Sequence, residues 1–386
     1  MNRRDFLIGS GALSLMVAGR GALADQAPAR KVLIVLELKG GNDGINTVIP
    51  YADPAYHSLR SGIGVARDRT LQLSERIGLH QKLEPLMESW QARDFAILQG
   101  VGYPQPNRSH FRSIEIWDTA SSSSQTLSEG WIARAFQSTR LPKGAGVDAI
   151  VTDTNSLPVT GPDLRTIVMQ DAANFLRQAE AMKDGRMTDD GNPALHHLLD
   201  VRHEVNAAAQ GLRDRLRDGP VPALQYPPDV GFGRQLDLAT RILMAGVPVV
   251  AIKVALGGFD THANQVPTHE RLLGVLAQNL AVLRKNLIAA NLWNNVVVMT
   301  YSEFGRRARQ NASGGTDHGT AAPQFVMGGK VKGGLHGVYP SLADLQDGDL
   351  KHTVDFRNVY SALARGCWGV RADFGQRDRQ TLDFLA

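Results

Sequence analysis

Acidic residues and histidines in this sequence recur where an apolar run gives way to a glycine-rich segment. Asp317 and His318 stand side by side in GGTDHGTA, and Asp260 and His262 stand two residues apart in GGFDTH. Glycine adopts backbone angles that other residues avoid, so either stretch could be a simple surface turn. Carboxylates and imidazoles are also the side chains that bind divalent cations and move protons. The two segments are therefore either turns or parts of a metal or acid–base site.

Other polar residues follow apolar runs in the same way. They are Asn42 and Asp43 after VLIVLEL, Ser109 and His110 after FAILQGV, and Glu303 and Arg306 after NVVVMTY. Each has a structural alternative. Asp43 could form a turn, Ser109 could cap a helix, His110 could be a packing neighbour, and Glu303 could pair with a nearby arginine. Asp317 could bind a metal directly or orient a ligand.

The elements that carry these residues predict an α/β fold. Apolar runs predict strands at 32–38, 95–101, 247–256, 295–301 and 324–329, and amphipathic or capped segments predict helices at 83–94, 109–120, 268–290 and 353–369. Alternating strands and helices imply a mostly parallel central sheet with helices on both faces. Ligands of such sheets bind beyond the carboxyl ends of the strands, which is where the polar residues lie. Residues 170–217 are polar with leucines at helical spacing, which predicts a helical insertion.

Carboxylates and imidazoles gathered in one crevice would repel or desolvate one another unless a cation bound them. Aspartate, glutamate and histidine together suit a divalent metal: zinc, manganese, iron or, less well, calcium. The sequence therefore predicts a metal at the carboxyl edge of the sheet.

The N-terminus has the pattern of a twin-arginine secretory signal. Arg3 and Arg4 precede a short apolar stretch, and Ala22-Leu23-Ala24 fits a small-residue cleavage site. Residues 1–24 are predicted to be this signal peptide, and residues 25–386 a single domain. The apolar stretch is too short and glycine-rich for a stable membrane span. We expect the twin-arginine translocase to export the folded protein, with any metal already loaded, to the periplasm or outside the cell.

Composition excludes several functional classes. Removing residues 1–24, with three arginines and one aspartate, lowers the net charge from +4 to +2 and leaves 386 − 24 = 362 residues. No basic run points to nucleic acid. Cys367 is the only cysteine, so there is no internal disulfide and no cysteine-based zinc site. We predict that Cys367 is buried.

The motifs, taken together, resemble a bacterial family, domain of unknown function 1501, whose members typically carry twin-arginine signals. The matching pieces are LKGGNDGINTVIP, SHF, GGFDTH, SEFGR, GTDHGTA, GGKVKGG and DFRNVYSAL. This family in turn resembles the alkaline phosphatase and sulfatase superfamily. The resemblance implies an alkaline phosphatase/sulfatase-like α/β fold.

The superfamily resemblance also implies site roles. An acidic metal ligand follows the first strand there, which corresponds to Asp43, and a nucleophile begins the helix after the second strand, which corresponds to Ser109. Later ligands correspond to Asp260 and His262. The next strand of the superfamily ends in Ser-Asp-His or Ser-Asp-Asn.

The residues after the fourth long strand depart from that superfamily pattern. Glu303 keeps the carboxylate, but Phe304 stands where the superfamily has a ligand. His318 corresponds to a final histidine ligand, and Asp317 accompanies it. One or two metal ions are therefore expected.

The implied activity is metal-dependent hydrolysis of a phosphate or sulfate ester, with an anionic ester as substrate. Ser109 or a water would attack, and His110 or Arg306 would steady the developing negative charge. The alternative is a non-catalytic periplasmic binding or assembly protein on a degenerate form of the same fold, which Phe304 favours. Three further histidines could serve as ligands: His80, His269 and His336.

Overall fold

The structure is a computed structural model that describes residues 31–137, 139, 147–171, 177, 209–228, 231–376 and 380–385. The predicted signal segment, residues 1–24, lies outside these ranges. Most of the predicted helical insertion at 170–217 also lies outside them. The part of it that is described at 209–217 is helical.

Strands and helices alternate along the chain. The strands are β1 (Val32–Lys39), β2 (Val48–Ile49), β3 (Thr70–Gln72), β4 (Gly78–His80), β5 (Phe95–Gly102), β6 (Ala149–Val151), β7 (Thr166–Val168), β8 (Ala251–Gly257), β9 (Val296–Tyr301), β10 (Ala322–Met327), β11 (Gly334–His336), β12 (Leu345–Gln346), β13 (Asp349–Leu350) and β14 (Val354–Asp355). The α-helices are α1 (Gly44–Thr47), α2 (Pro54–Leu59), α3 (Met87–Gln91), α4 (His110–Thr119), α5 (Trp131–Phe136), α6 (Phe232–Met244), α7 (Gln265–Ala289) and α8 (Phe356–Trp368). Short 3-10 helices occupy Arg67–Arg69, Gln81–Leu86, Leu157–Val159 and Trp293–Asn295.

Among the described strands, nine form the central sheet. Their order is β11-β5-β10-β9-β1-β8-β6-β7, and β14 also pairs with β5. β10 runs antiparallel to both of its neighbours, whereas the other pairings are parallel. The predicted mostly parallel sheet is confirmed. Its carboxyl edge gathers the ends of β1, β5, β8 and β9, and because β10 is reversed, its first residues begin at the same edge.

Helices cover both faces of this sheet, as predicted. Ile34 and Leu36 of β1 belong to one buried cluster, which includes leucines of α6 and α7. Leu33 and Val35 belong to the other, with residues of α4, α5 and α8. Successive residues of a strand point to opposite faces, so a continuous apolar run such as β1 is what a sheet buried on both sides requires.

Two predicted boundaries change at prolines. The helix predicted at 83–94 is a 3-10 helix with Pro85 inside it, followed by the short α3. The strand predicted at 247–256 begins only at Ala251, after Pro248. Proline has no N–H to donate, so it interrupts both helix and ladder hydrogen bonding.

Helix α7 is long and apolar enough to cross a membrane by length and composition alone, judged over the described residues. However, 56% of its apolar window is buried within the structure. Its predicted stripe, Leu272, Leu276, Leu280, Leu283 and Leu287, is buried against the sheet. A core helix of a globular protein has these same properties.

Cys367 is buried in α8, as predicted. Burial raises the pKa of its thiol to about 12. The reactive thiolate form is therefore not available near neutral pH.

A buried network of charges lies on the α4 side of the sheet. The Lys253 ammonium is 2.5 Å from Glu37 Oε2 and 2.6 Å from Asp153 Oδ2. The Lys39 ammonium, at the carboxyl end of β1, is 2.8 Å from the same Asp153 oxygen. Two ammonium groups and two carboxylates thus neutralise one another, which offsets the cost of removing them from water.

Asp118 of α4 lies beside this network, and no lysine or arginine among the described residues forms an ion pair with it. It is buried and accepts hydrogen bonds from the Tyr301 hydroxyl at 2.8 Å and the Asn155 amide at 2.7 Å. Burial, reinforced by the nearby Glu37 carboxylate, raises the pKa of Asp118 to about 7.

We expect Asp118→Asn to become more stable relative to wild type as pH rises from 4 to 7. The unfolded carboxyl ionises near pH 4 while the folded one keeps its proton to about pH 7, so Asp118 opposes folding increasingly across that window. The relative gain can reach ~4 kcal/mol, since one pKa unit corresponds to about 1.4 kcal/mol. Urea unfolding at several pH values measures it, with the half-exposed Asp237→Asn as control. A difference independent of pH would contradict this account.

Candidate metal centre

Three side chains from two loops converge at the carboxyl edge of the sheet. Asp260 and His262 follow β8, and His318 precedes β10. His262 Nε2 is 3.0 Å from His318 Nε2 and 3.0 Å from Asp260 Oδ1, and His318 Nε2 is 3.2 Å from the same Asp260 oxygen. Three potential ligand atoms therefore lie at the corners of a nearly equilateral triangle.

The other ring nitrogen of each histidine already has an acceptor. His318 Nδ1 is 2.8 Å from the backbone carbonyl of Arg108, and His262 Nδ1 is 3.3 Å from Asp317 Oδ1. A neutral imidazole that donates through Nδ1 presents a lone pair at Nε2. Two such lone pairs and a carboxylate oxygen, about 3 Å apart, repel one another unless a proton or a cation joins them.

The donor set fits a transition-metal ion. Zinc binds histidine nitrogen at about 2.0–2.1 Å and carboxylate oxygen at about 2.0–2.2 Å, so adjacent ligands in a tetrahedral shell are ~3.3 Å apart. The triangle has nearly this spacing. Metal-binding histidines also typically donate their second N–H to a carbonyl or carboxylate, as both do here.

His110 lies next to this triangle, at the start of α4. Its Nε2 is 3.5 Å from Asp260 Oδ2, and its Nδ1 is 3.4 Å from Glu303 Oε1. Ligand atoms of His110, Asp260 and His318 all lie within 4.8 Å of one another. His110 can therefore either bind a cation at this edge or exchange a proton with either carboxylate.

The ring of Phe304 supports the two histidines that flank it. Its centroid is 4.2 Å from that of His318 and 4.9 Å from that of His110, and the side chain is buried. A Cβ at Gly41 would come within 2.4 Å of the Phe304 ring, so only glycine fits there. Phe304 thus fixes the positions of two imidazoles by packing.

Glu303 is buried beside the three converging residues, but its oxygens are used differently. They accept hydrogen bonds from the backbone N–H groups of Gly40, at 2.8 and 3.0 Å, and of Gly41, at 3.0 Å. Gly40 has φ +109°, and a Cβ there would approach the backbone nitrogen of Asp260 to 2.4 Å. Glu303 therefore holds the loop after β1 against Asp260 and contacts His110, rather than completing the triangle.

The predicted role of Arg306 in charge stabilisation is corrected by the structure. Its guanidinium is buried and donates to the backbone carbonyls of Gly40, Gly41, Phe259 and Thr316, and to Asp260 Oδ1 at 2.7 Å. These hydrogen bonds join the loop after β1, the loop after β8 and the loop between β9 and β10. Arg306 positions Asp260 and is not available to a substrate.

Asp43 was also predicted as a metal ligand, but the structure gives its carboxylate other partners. Its carboxylate is buried and accepts from Arg60 Nη1 at 2.5 Å, Arg60 Nη2 at 3.1 Å and the Gln265 amide at 2.5 Å. These contacts lower its pKa to about 2, although burial acts in the opposite direction. Both oxygens therefore already have hydrogen-bond donors as partners.

The three further histidines named as possible ligands, His80, His269 and His336, do not contact the triangle. His269 is buried with its Nε2 3.0 Å from Asn42 Oδ1, and His80 lies beside it with ring centroids 6.2 Å apart. Burial lowers the pKa of each to about 4. His336 is in β11, and its Nε2 contacts the Lys332 carbonyl at 2.7 Å.

Ser109 lies in sequence between Arg108, whose carbonyl contacts His318, and His110, which contacts Asp260. It is exposed and occupies the N-cap position of α4, but its side chain makes no capping hydrogen bond. Ser109 therefore does not stabilise the helix through a side-chain capping hydrogen bond. Its backbone N–H donates to Asn107 Oδ1 at 2.8 Å, which shapes the turn into the helix.

Electrostatics at the site favour an ionised Asp260 in its half-exposed position. Burial would raise its pKa, but hydrogen bonds from Arg306 and His318 lower it to about 2. Asp317 is exposed; a hydrogen bond from Asn311 lowers its pKa, and His262 adds to this. Burial lowers the pKa of His318. Ionised carboxylates and a His318 with a lowered pKa both favour cation binding.

A family model described as a protein of unknown function (DUF1501) matches residues 65–363, a range that contains every converging residue of the site. The chain belongs to the DUF1501 family. Among curated proteins, no match to this DUF1501 chain was found.

Several solved structures are similar to this DUF1501 protein. A sulfatase from a Pseudoalteromonas species matches at 10% identity and TM-score 0.37, covering 98% of this chain and 78% of that one. An alkaline phosphatase superfamily protein from Vibrio parahaemolyticus matches at 10% identity and TM-score 0.35, covering 79% and 62%. A lipooligosaccharide phosphoethanolamine transferase from Neisseria meningitidis matches at 11% identity and TM-score 0.38, covering 92% and 60%. At such TM-scores function has to be argued from the geometry of the site.

Sequence reasoning missed several residues that build the DUF1501 site. Arg108 contributes the carbonyl that orients His318, and Asn311 donates to Asp317 at 3.1 Å. A backbone carbonyl leaves no signal in a sequence. A signal did exist for the buried charges, because Glu37 and Lys253 interrupt otherwise apolar strands.

Proposed function

We propose that this protein is an exported, metal-dependent hydrolase of phosphate or sulfate esters. The observation that carries the proposal is the triangle of His262 Nε2, His318 Nε2 and Asp260 Oδ1, with both Nδ1 atoms held by acceptors. This arrangement is stable with a cation at its centre and electrostatically unfavourable without a cation or a proton.

Asp260, His262 and His318 would hold one divalent ion, with His110 within reach of the same centre. Two nitrogens and one oxygen suit zinc, manganese or iron, whereas calcium prefers oxygen ligands throughout. When bound, such an ion draws electron density from an anionic ester group and lowers the pKa of a nearby hydroxyl or water. Asp317 keeps His262 in the tautomer that presents Nε2.

Ser109 and His110 would act on the substrate. Ser109 is exposed at the start of α4, where the first N–H groups have no intrahelical partners and favour an anion. In this proposal its hydroxyl attacks the phosphorus or sulfur atom. His110, between the Asp260 and Glu303 carboxylates, can hold a proton and release it to the departing alcohol.

Turnover assays test this function. Protein reloaded with zinc, manganese or iron after chelation should hydrolyse an aryl phosphate or an aryl sulfate, and chelated protein should not. His262→Ala should abolish turnover, whereas His336→Ala, a histidine outside the site, should not. Metal binding without hydrolysis of either ester would favour the second candidate, a periplasmic binding or assembly protein, which the packing role of Phe304 also supports.

We further propose that the twin-arginine translocase exports the protein to the periplasm. Arg3 and Arg4 motivate this proposal. We expect Arg3→Lys with Arg4→Lys to leave precursor in the cytoplasm, whereas wild type should yield mature protein beginning at Asp25. Cell fractionation with N-terminal sequencing checks both results. Normal periplasmic yield of the double variant would exclude this route.

A further inference from the structure

Two arginines at the rim of the site share one buried carboxylate. Arg108 Nη2 is 2.5 Å from Asp349 Oδ2, and Arg307 Nε is 3.6 Å from Asp349 Oδ1. The arginine side chains are 39% and 37% exposed, whereas that of Asp349 is 2% exposed. One carboxylate neutralises one of the two guanidinium charges, so this rim cluster of three residues has a net charge of +1.

Both guanidinium groups keep donors free for a ligand. Besides Asp349, Arg307 donates to the Asp347 carbonyl at 3.0 Å, and the Arg108 side chain has no further partner among the described residues. Arg306 and Arg60 differ from them, since both are buried and bonded to backbone carbonyls as well as to a carboxylate. Of these four arginines, only Arg108 and Arg307 are partly exposed.

The backbone places the rim cluster directly beside the metal-binding residues. The Arg108 carbonyl accepts from His318, and the backbone N–H of Arg307 donates to the Asp317 carbonyl at 3.0 Å. Ser109 follows Arg108 in sequence. The backbone of each arginine is therefore hydrogen-bonded to the Asp317-His318 segment of the site.

We propose that Arg108 and Arg307 bind a second anionic group of the substrate, so that the site selects esters carrying at least two negative charges. This inference rests on the proposed function. In the proposed function the group under attack binds at the triangle, which leaves the two guanidinium groups beside Asp349 for a second group. Planar arginine forks match sulfate, phosphate and carboxylate oxygens in a bidentate way.

The test compares binding of benzenedisulfonate and benzenesulfonate, which cannot be hydrolysed as esters. Titration calorimetry of the mature protein, with metal content measured on the same batch, should show at least tenfold tighter binding of the disulfonate. Arg307→Gln, which leaves the Arg108–Asp349 pair intact, should remove most of this preference, and Arg108→Gln with Arg307→Gln should abolish it. Arg217→Gln, an equal charge change on an exposed arginine elsewhere, should keep it.

Asp349→Asn supplies a result that a purely structural role would not give. Removing the competing carboxylate should tighten disulfonate binding severalfold while leaving benzenesulfonate binding unchanged. Equal preference for the disulfonate in wild type and the Arg307→Gln variant, or weaker binding by folded Asp349→Asn, would overturn the inference. Metal-loaded wild-type protein that hydrolyses neither ester would instead contradict the proposed function, because the dependence of the preference on Arg307 is measured by binding alone.

Discussion

Replacing Asp43 with alanine is expected to lower the free energy of unfolding by about 3–5 kcal/mol, because it leaves a buried guanidinium without its partner. Arg60 is 1% exposed and pairs with both Asp43 oxygens. It also donates to the backbone carbonyls of Ala308 and Arg307, so it cannot turn outward without breaking those bonds. Loss of the carboxylate should therefore weaken the link between the first loop and the loop that follows β9.

Urea unfolding measures this loss, with Asp53→Ala as the control. Asp53 caps α2 and its side chain is less buried, so its replacement should cost about 1 kcal/mol. Metal content per folded molecule should be unchanged in Asp43→Ala. A stable Asp43→Ala protein that has lost its metal would restore Asp43 as a ligand.

The pairing of Asp43 with Arg60 also makes the free energy of unfolding depend on pH. The folded pKa of Asp43, about 2, is below the usual value near 3.8. Its contribution is therefore fully present above pH 4 and is lost as pH falls from 4 towards 2. Wild type should lose stability over this window more steeply than Asp43→Ala.

Replacing Ser109 with alanine is expected to lower ester turnover more than about a thousandfold, since removing a nucleophile removes the covalent route. The same change should leave the melting temperature nearly unaffected, because the exposed side chain makes no capping hydrogen bond. Metal content should also stay at the wild-type level. Kinetics on the aryl ester that wild type hydrolyses, alongside a thermal melt, measure both effects.

Two other outcomes would assign a different role to Ser109. A drop of tenfold or less would indicate that a water attacks and that Ser109 only helps to bind the substrate. A loss of about 1 kcal/mol in stability with full activity would indicate a capping role that the structure does not have. Ser58→Ala, another exposed serine on a short helix, controls for nonspecific effects of the substitution.

The strands and the convergence of Asp260, His262 and His318 could be predicted from sequence for a simple physical reason. Apolar runs such as VLIVLEL must be buried strands, and parallel strands bring their carboxyl ends to one edge. Residues directly after a strand therefore have little freedom in position. Asp260 follows β8 by three residues, so the edge of the sheet determines its location.

The roles of Asp43, Glu303 and Arg306 could not be predicted in this way, because each depends on partners distant in sequence. Asp43 faces Arg60, which is 17 residues away, and Glu303 accepts from Gly40, which is 263 residues away. The position after a strand places an acidic residue near the edge of the sheet, but pairing decides whether its carboxylate binds a metal, a guanidinium or a backbone amide. Nothing in the spacing of the sequence reveals which partner is chosen.

Metal analysis of the mature protein, purified without chelator, tests the central claim most directly. We expect about one divalent transition-metal ion per molecule of wild type and of His336→Ala, and less than a tenth of that in His318→Ala and His262→Ala, with all four proteins folded by circular dichroism. Wild-type protein that binds no divalent metal even after incubation with zinc, manganese and iron, or a folded His318→Ala variant with undiminished metal, would contradict the claim.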